Sequence, residues 1–146
     1  GVDARGQFSR GHYFSFCGYP MDTLIEHKDG MHIEWDVPIR LSDGITLRAD
    51  IFRPIGEGRF PAILTYGPYA KGLPFEVGYK TAWTRMITAY PEIAEGTSNK
   101  YQSWELVDPE KWVPDGYACV RIDSRGAGCS GSPRRRSADG RREPCR

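Results

Sequence analysis

The residue types best suited to chemistry fall together in one stretch, Gly116–Ser132 (GYACVRIDSRGAGCSGS). Tyr117–Ile122 is a nearly continuous apolar run rich in β-branched and aromatic residues, the pattern of a strand buried on both faces. From Asp123 to Ser132 glycine and serine dominate, which makes a loop rather than a helix. A buried strand ending in a charged, Gly-rich loop is how an open α/β sheet presents side chains at its carboxyl edge, where ligands bind. Asp123 could act there as an acid and Arg125 as an anion clamp. Their position in a short polar loop predicts structural roles instead, Asp123 bonding loop amides and Arg125 pairing with a carboxylate. Gly126–Gly131 also fits the dinucleotide fingerprint G-x-G-x-x-G. Where that fingerprint needs a helix to open, Pro133 and Arg134–Arg136 follow, so no nucleotide cofactor is expected.

The remaining metal-ligating and nucleophilic types are scattered. Cys17, Cys119, Cys129 and Cys145 form no C-x-x-C pair and have no ligand-like spacing with His12, His27 or His32, so no metal is expected. Cys119 lies within the apolar run, where a thiol behaves as a small hydrophobe, and a reducing, cytoplasmic compartment fits this usage. Neither a signal-peptide run nor a membrane-length apolar segment is present. The chain does not begin with Met and can start inside a longer product. At 146 residues, 39% hydrophobic and 12% aromatic, it is about one domain. Its net charge of +1 is uneven, because Pro133–Arg146 sets six Arg against one Asp and one Glu. The body is therefore mildly acidic, which argues against a nucleic-acid partner, and the Arg-rich tail has no aromatics to stack on bases.

The elements that must position the Gly116–Ser132 stretch can be read from periodicity. Gly1–Thr23 is aromatic and Gly-rich without a period, and residues 1–32 are expected to be an irregular lead-in whose aromatics pack on the body. Ile33–Leu41 alternates apolar and polar residues as a half-buried strand, with Pro38 arguing for an edge position. Ser42-Asp43-Gly44 is turn chemistry, and Ile45–Phe52 resumes the alternation, predicting an antiparallel hairpin. Phe60–Tyr66 is a second continuous apolar run, short enough for a buried strand. Trp83, Met86, Ile87 and Tyr90 fall on one face of a helix that Pro91 ends. Asp108-Pro109-Glu110 is a helix start, with Asp as N-cap and Pro at the first helical position. A strand, a helical crossover and a second buried strand make a βαβ unit, hence two parallel strands.

With the blocks SDGITLRADIFRP, FPAILTYGPYAKG and DGYACVRIDSRGAGCSGS in this order, the chain over about Trp35–Ser132 resembles the opening of the cocaine esterase-like (CocE/NonD) hydrolases. These are related to the X-prolyl dipeptidyl peptidases of the α/β-hydrolase fold. The resemblance implies a serine hydrolase of small-molecule esters, amides or peptides, with a Ser–His–Asp triad and no cofactor. It also implies a role for Tyr69: in these esterases the tyrosine of a -P-Y- pair after the third strand donates its hydroxyl to the oxyanion, and Pro68-Tyr69 matches that pair. Packing at a turn is the alternative for Tyr69. The family's nucleophile sits later, on a G-x-S-x-G elbow. Here the nearest pentad is Gly128-Cys129-Ser130-Gly131-Ser132, in the wrong pattern, and all three histidines precede it. Nucleophile and base are both absent.

The expected fold class is therefore α/β, an incomplete α/β-hydrolase sheet made of an amino-terminal antiparallel hairpin plus a parallel βαβ unit. Residues 33–132 form the amino-terminal part of the hydrolase domain. Residues 133–146 are an Arg-rich disordered tail out of the family's frame, since the composition breaks abruptly at Ser132. By fold analogy Tyr117–Asp123 should lie between Ile45–Phe52 and Phe60–Tyr66, leaving the latter on an unpaired edge. The chain alone should be inactive. The rival from another class is a non-catalytic β-rich interaction module.

Overall fold

The computed structural model describes residues 23–128 and residue 130. The expectations for the aromatic segment before Thr23 and for the Arg-rich tail lie outside the described residues, as do His12, Cys17, Cys129 and Cys145. One mixed five-stranded sheet organises the rest. Its strands are β1 (Leu24–Lys28), β2 (Met31–Arg40), β3 (Thr46–Pro54), β4 (Ala62–Gly67) and β5 (Ala118–Asp123), in the spatial order β1-β2-β3-β5-β4.

β2 and β3 make the expected antiparallel hairpin, with Ile33 opposite Phe52 and Ile39 opposite Leu47. The turn closes through Leu41 N–H to Ile45 O (2.8 Å), with Gly44 at φ +85°, a left-handed conformation that glycine reaches without steric cost. Residues 24–32, expected to be irregular, instead form β1 and the start of β2. They are joined by Asp29 (φ +52°) and Gly30 (φ +76°), the two left-handed residues of a tight hairpin turn. β1 reaches only as far as Trp35, so Pro38 lies where the outer side of β2 is unpaired. Its missing N–H leaves no gap in the ladder there.

β4 and β5 run parallel, Ala62 opposite Ala118 through Gly67 opposite Asp123, and β5 pairs antiparallel with β3 on its other side. The expected strand order holds. β4 is not a fully buried strand: its alternate residues Leu64 (60% exposed) and Tyr66 (54%) lie on a face that no described element covers. The crossover between β4 and β5 carries the short helix α1 (Phe75–Gly78), α2 (Lys80–Ala89), a 3-10 turn (Pro91–Ala94) and α3 (Pro109–Trp112). α2 buries Trp83, which meets Phe75 edge-on with ring centres 5.5 Å apart. α3 begins as expected, Asp108 accepting the Glu110 N–H at 3.1 Å with Pro109 at the first position. Glu110 in turn accepts from Thr97 Oγ1 (2.7 Å) and Ser98 N–H (2.8 Å), which fixes the long segment before α3. Burial works against the Glu110 carboxylate, but these hydrogen bonds outweigh it and lower its pKa.

The hydrophobic core lies on one face of the sheet, where Met31, Ile33, Phe52 and Cys119 meet Tyr101 and Val113 from the crossover. Trp35 and Tyr101 pack edge-on or tilted around Phe52, with ring centres 5.3 Å and 5.5 Å from it. Burial pushes the Cys119 thiol up to about 11, so it is an inert part of this core. Among the described residues no helix is long and apolar enough to cross a membrane.

Candidate active-site edge

Moving along the same sheet face from the apolar core towards the carboxyl end of β5, the side chains become charged. On β5 Cys119 gives way to Arg121 and Asp123; on β3, Phe52 gives way to Asp50 and Arg48. Arg48, Asp50, Arg121 and Asp123 are each at most 5% exposed. Such groups survive burial only when paired or hydrogen-bonded, and each of these is.

Lys71, from the loop that follows β4, is the hub. Its Nζ donates to Asp36 Oδ1 (2.7 Å) and Asp50 Oδ1 (2.8 Å), and its backbone N–H donates to Asp123 Oδ1 (2.8 Å). Burial works against the ammonium, but Asp50 and Asp36 outweigh it and raise its pKa. Burial raises Asp50 as well, against the pull of Lys71, and the neighbouring Asp36 charge adds to the rise. Arg121 donates through Nη2 to the carbonyls of Tyr101 (2.5 Å) and Val107 (2.8 Å) and stacks its guanidinium on Phe52 at 5.1 Å. Burial lowers its pKa to about 10, which still leaves it charged at neutral pH. It ties the crossover to the sheet beneath Lys71.

Tyr69 stands two residues before Lys71 on the same loop, beyond the end of β4. It is 41% exposed, and its ring meets Tyr79 edge-on at 6.5 Å. Among the described residues its hydroxyl makes no hydrogen bond, so an open donor sits at the carboxyl edge of the parallel strands. Ala70 next to it has φ +62°, a turn that lets residue 69 face outwards while residue 71 turns in. A small cavity of about 20 Å³ is lined in part by Gly67, Tyr69, Ile122 and Asp123. A wider cleft of about 240 Å³ opens on the core side of Lys71, between Trp35, Tyr101 and Arg121, and does not include Tyr69.

The loop after β5 is structural, as its composition predicts. Asp123 bonds the Lys71 amide, and burial raises its carboxyl pKa. Arg125 pairs with Asp43 at the hairpin turn. Gly128 approaches Asp123 so closely that a Cβ would stand 2.1 Å from its Oδ2, which accounts for glycine there. Ser130, the central serine of the G-C-S-G-S pentad, is fully buried. Its Oγ donates to Asp123 O (2.8 Å) and accepts from Arg48 N–H (2.9 Å). The hydroxyl thus clasps the loop after β5 to β3, and among the described residues no histidine hydrogen-bonds it. His27 and His32 lie across the β1–β2 ladder, 2.9 Å from one another, and His32 bonds Glu34 at 3.1 Å. Burial and the Arg53 charge lower the His32 pKa. No cluster of three or more metal-ligating side chains occurs among the described residues.

Sequence reasoning singled out Tyr69, Asp123 and Arg125 and passed over Lys71 and Asp36. Lys71 follows Tyr69 by two residues, and only the fold reveals that its partners lie 21 and 35 residues away.

Residues 43–134 match the family model of the X-Pro dipeptidyl-peptidases of the S15 family. The chain belongs to this family. The match runs from within the β2–β3 turn through both parallel strands and takes in Lys71, Asp50 and Asp123 of the hub, but not Asp36. A crystal structure of a CocE/NonD family hydrolase from Staphylococcus aureus is 25% identical with a TM-score of 0.52, over 80% of this chain and 18% of that one. A second crystal structure of that hydrolase gives 23% identity and a TM-score of 0.53, over 89% and 21%. The S15 chain thus spans about a fifth of the length of the solved structures it resembles. No curated protein is matched by this sequence.

Proposed function

We propose that this chain is the amino-terminal part of a serine hydrolase that cleaves a small ester, amide or peptide, and that Tyr69 is its oxyanion donor. The reaction class is acyl transfer to water through a serine acyl-enzyme. In such a reaction negative charge develops on the carbonyl oxygen, and a fixed donor at that point is worth about 3–4 kcal/mol. The uncommitted hydroxyl of Tyr69, held on a buried ionic hub at the carboxyl edge of parallel strands, is the observation that carries the reading. Asp123 and Ser130 support the edge, while nucleophile, base and acid come from chain beyond these residues. As it stands the chain is inactive.

A fluorophosphonate serine probe tests this. The 146-residue chain should remain unlabelled and turn over no ester above background. A longer polypeptide continuing into an S15-family carboxyl-terminal portion should be labelled stoichiometrically and be active. Labelling of the short chain, at Ser130 or elsewhere, would contradict the assignment and favour a nucleophile within it. Absence of labelling and turnover in both would favour the non-catalytic interaction module.

A further inference from the structure

The ladder between β2 and β3 breaks register between Glu34 and Val37, and the residue displaced by this bulge is Asp36. Asp36 has φ +56°, a conformation that side-chain-bearing residues seldom adopt. Its backbone groups and one carboxylate oxygen are all engaged. Its N–H donates to Asp50 Oδ1 (3.0 Å), its carbonyl accepts from Arg48 Nη1 (3.1 Å), and its carboxylate accepts from Lys71 Nζ (2.7 Å). Bulges re-aim side chains, and left-handed outliers cluster where geometry serves function. Replacing a buried ion pair by apolar residues is often neutral or stabilising, so stability does not explain why three charges converge here. What they fix is one short loop, held by the Lys71 ammonium, by its amide on Asp123 and by its carbonyl near Arg121 Nη1 (3.5 Å).

We infer that the Asp36 bulge and Lys71 form a positioning device for the Tyr69 hydroxyl: the bulge aims a carboxylate at Lys71, and Lys71 anchors the loop so that Tyr69 points outward beside Tyr79. Lys71 and Asp36 are positioning residues and do not touch the reacting atoms. The inference rests on the reading of Tyr69 as oxyanion donor, but its test reads the loop and not catalysis.

The test uses nuclear magnetic resonance on the 146-residue chain, following the Tyr69–Tyr79 inter-ring contacts and amide exchange at Tyr69–Gly72 with β3 and β5 amides as internal controls. Lys71→Met keeps the stem and removes the charge. It should abolish the inter-ring contacts and speed loop exchange at least about tenfold more than it speeds exchange at Ala49–Ile51 and Val120–Ile122, whose protection falls only with global stability. Contacts and exchange that persist with the sheet intact overturn the inference. If Lys71→Met speeds loop and sheet exchange alike, Asp36→Asn decides, since it tolerates the left-handed backbone and leaves the Asp50–Lys71 pair in place. Loosening of the loop alone then supports the device, and an unchanged loop overturns it. Failure of Tyr69→Phe to affect turnover in a longer hydrolase would remove the catalytic reading and leave these loop measurements standing.

Discussion

The two ends of one sheet face obey opposite physics. At the β1–β2 end, Met31, Ile33, Phe52 and Cys119 are each at most 1% exposed and close on Tyr101 without a charge among them. Two to four residues further along the same strands, Asp50, Arg121 and Asp123 are almost as deeply buried, and Lys71 joins them. Burying apolar surface yields about 25 cal/mol per Å², whereas each buried ion costs several kcal/mol that its partners must offset. The apolar end therefore holds the fold together, and the ionic end holds a loop in place. A sheet can support both because successive same-face residues on a strand are only about 7 Å apart.

The largest effect that tests this contrast should come from the apolar end. Phe52→Ala should destabilise the chain by about 3–5 kcal/mol in urea unfolding, because it empties the point where Trp35, Tyr101 and Arg121 converge. A loss below about 1 kcal/mol would deny that this cluster is the core. At the ionic end, Lys71→Met alone should cost about 3 kcal/mol, because Asp50 loses the ammonium hydrogen-bonded to it and keeps only the field of neighbouring Arg121. The double variant Lys71→Met with Asp50→Leu should recover most of that loss, within about 1 kcal/mol of the parent. Recovery would mark the charges as dispensable for stability; failure to recover would erase the contrast. Ser130→Ala should cost about 1–3 kcal/mol, since its hydroxyl joins Arg48 N–H to the Asp123 carbonyl.

The smallest effect is in pH dependence. Asp50 and Asp123 have pKa values raised above 3.8 by burial. A carboxyl that binds its proton more tightly when folded adds stability as pH falls from its raised value towards 3.8 and nothing further below. Asp29, held low by its hydrogen bonds from Lys100 and Tyr101, and Asp43, held low by Arg125, act in the opposite sense. Their stabilisation is lost as pH falls below 3.8. Unfolding midpoints should therefore dip as pH falls through 6.5, where the lowered pKa of His32 disfavours its protonation in the fold, rise modestly as Asp50 and Asp123 take up protons, and collapse below 3.8. Asp123→Asn, which keeps an acceptor for the Lys71 amide, should flatten the rise. An unaltered profile in that variant would show that Asp123 does not pay the burial cost assigned to it.

How much of this was legible in the sequence follows from how local each signal is. The β2–β3 hairpin, the Asp108 cap and the α2 face were readable because alternation, an Asp-Pro pair and a helical period each lie within ten residues. β1 was missed although Asp29-Gly30 is a strong turn pair, because the aromatic stretch before it obscured where alternation began at Leu24. β4 reads as a buried strand since its apolar run does not reveal that the described residues leave one of its faces uncovered. The hub was not legible at all: Lys71 is an ordinary lysine until the fold brings Asp36, Asp50 and Asp123 to it. Tyr69 emerged from family resemblance, not from its surroundings, and its uncommitted hydroxyl is what the fold adds.

Everything functional in this account turns on that hydroxyl. The most direct measurement is kcat for an ester substrate in a longer polypeptide that carries this chain and an S15-family carboxyl-terminal portion, with and without Tyr69→Phe. Loss of one fixed oxyanion donor should lower kcat about 10²–10³-fold with little change in KM. An unchanged kcat would reduce Tyr69 to a packing residue against Tyr79 and contradict its assignment as the oxyanion donor.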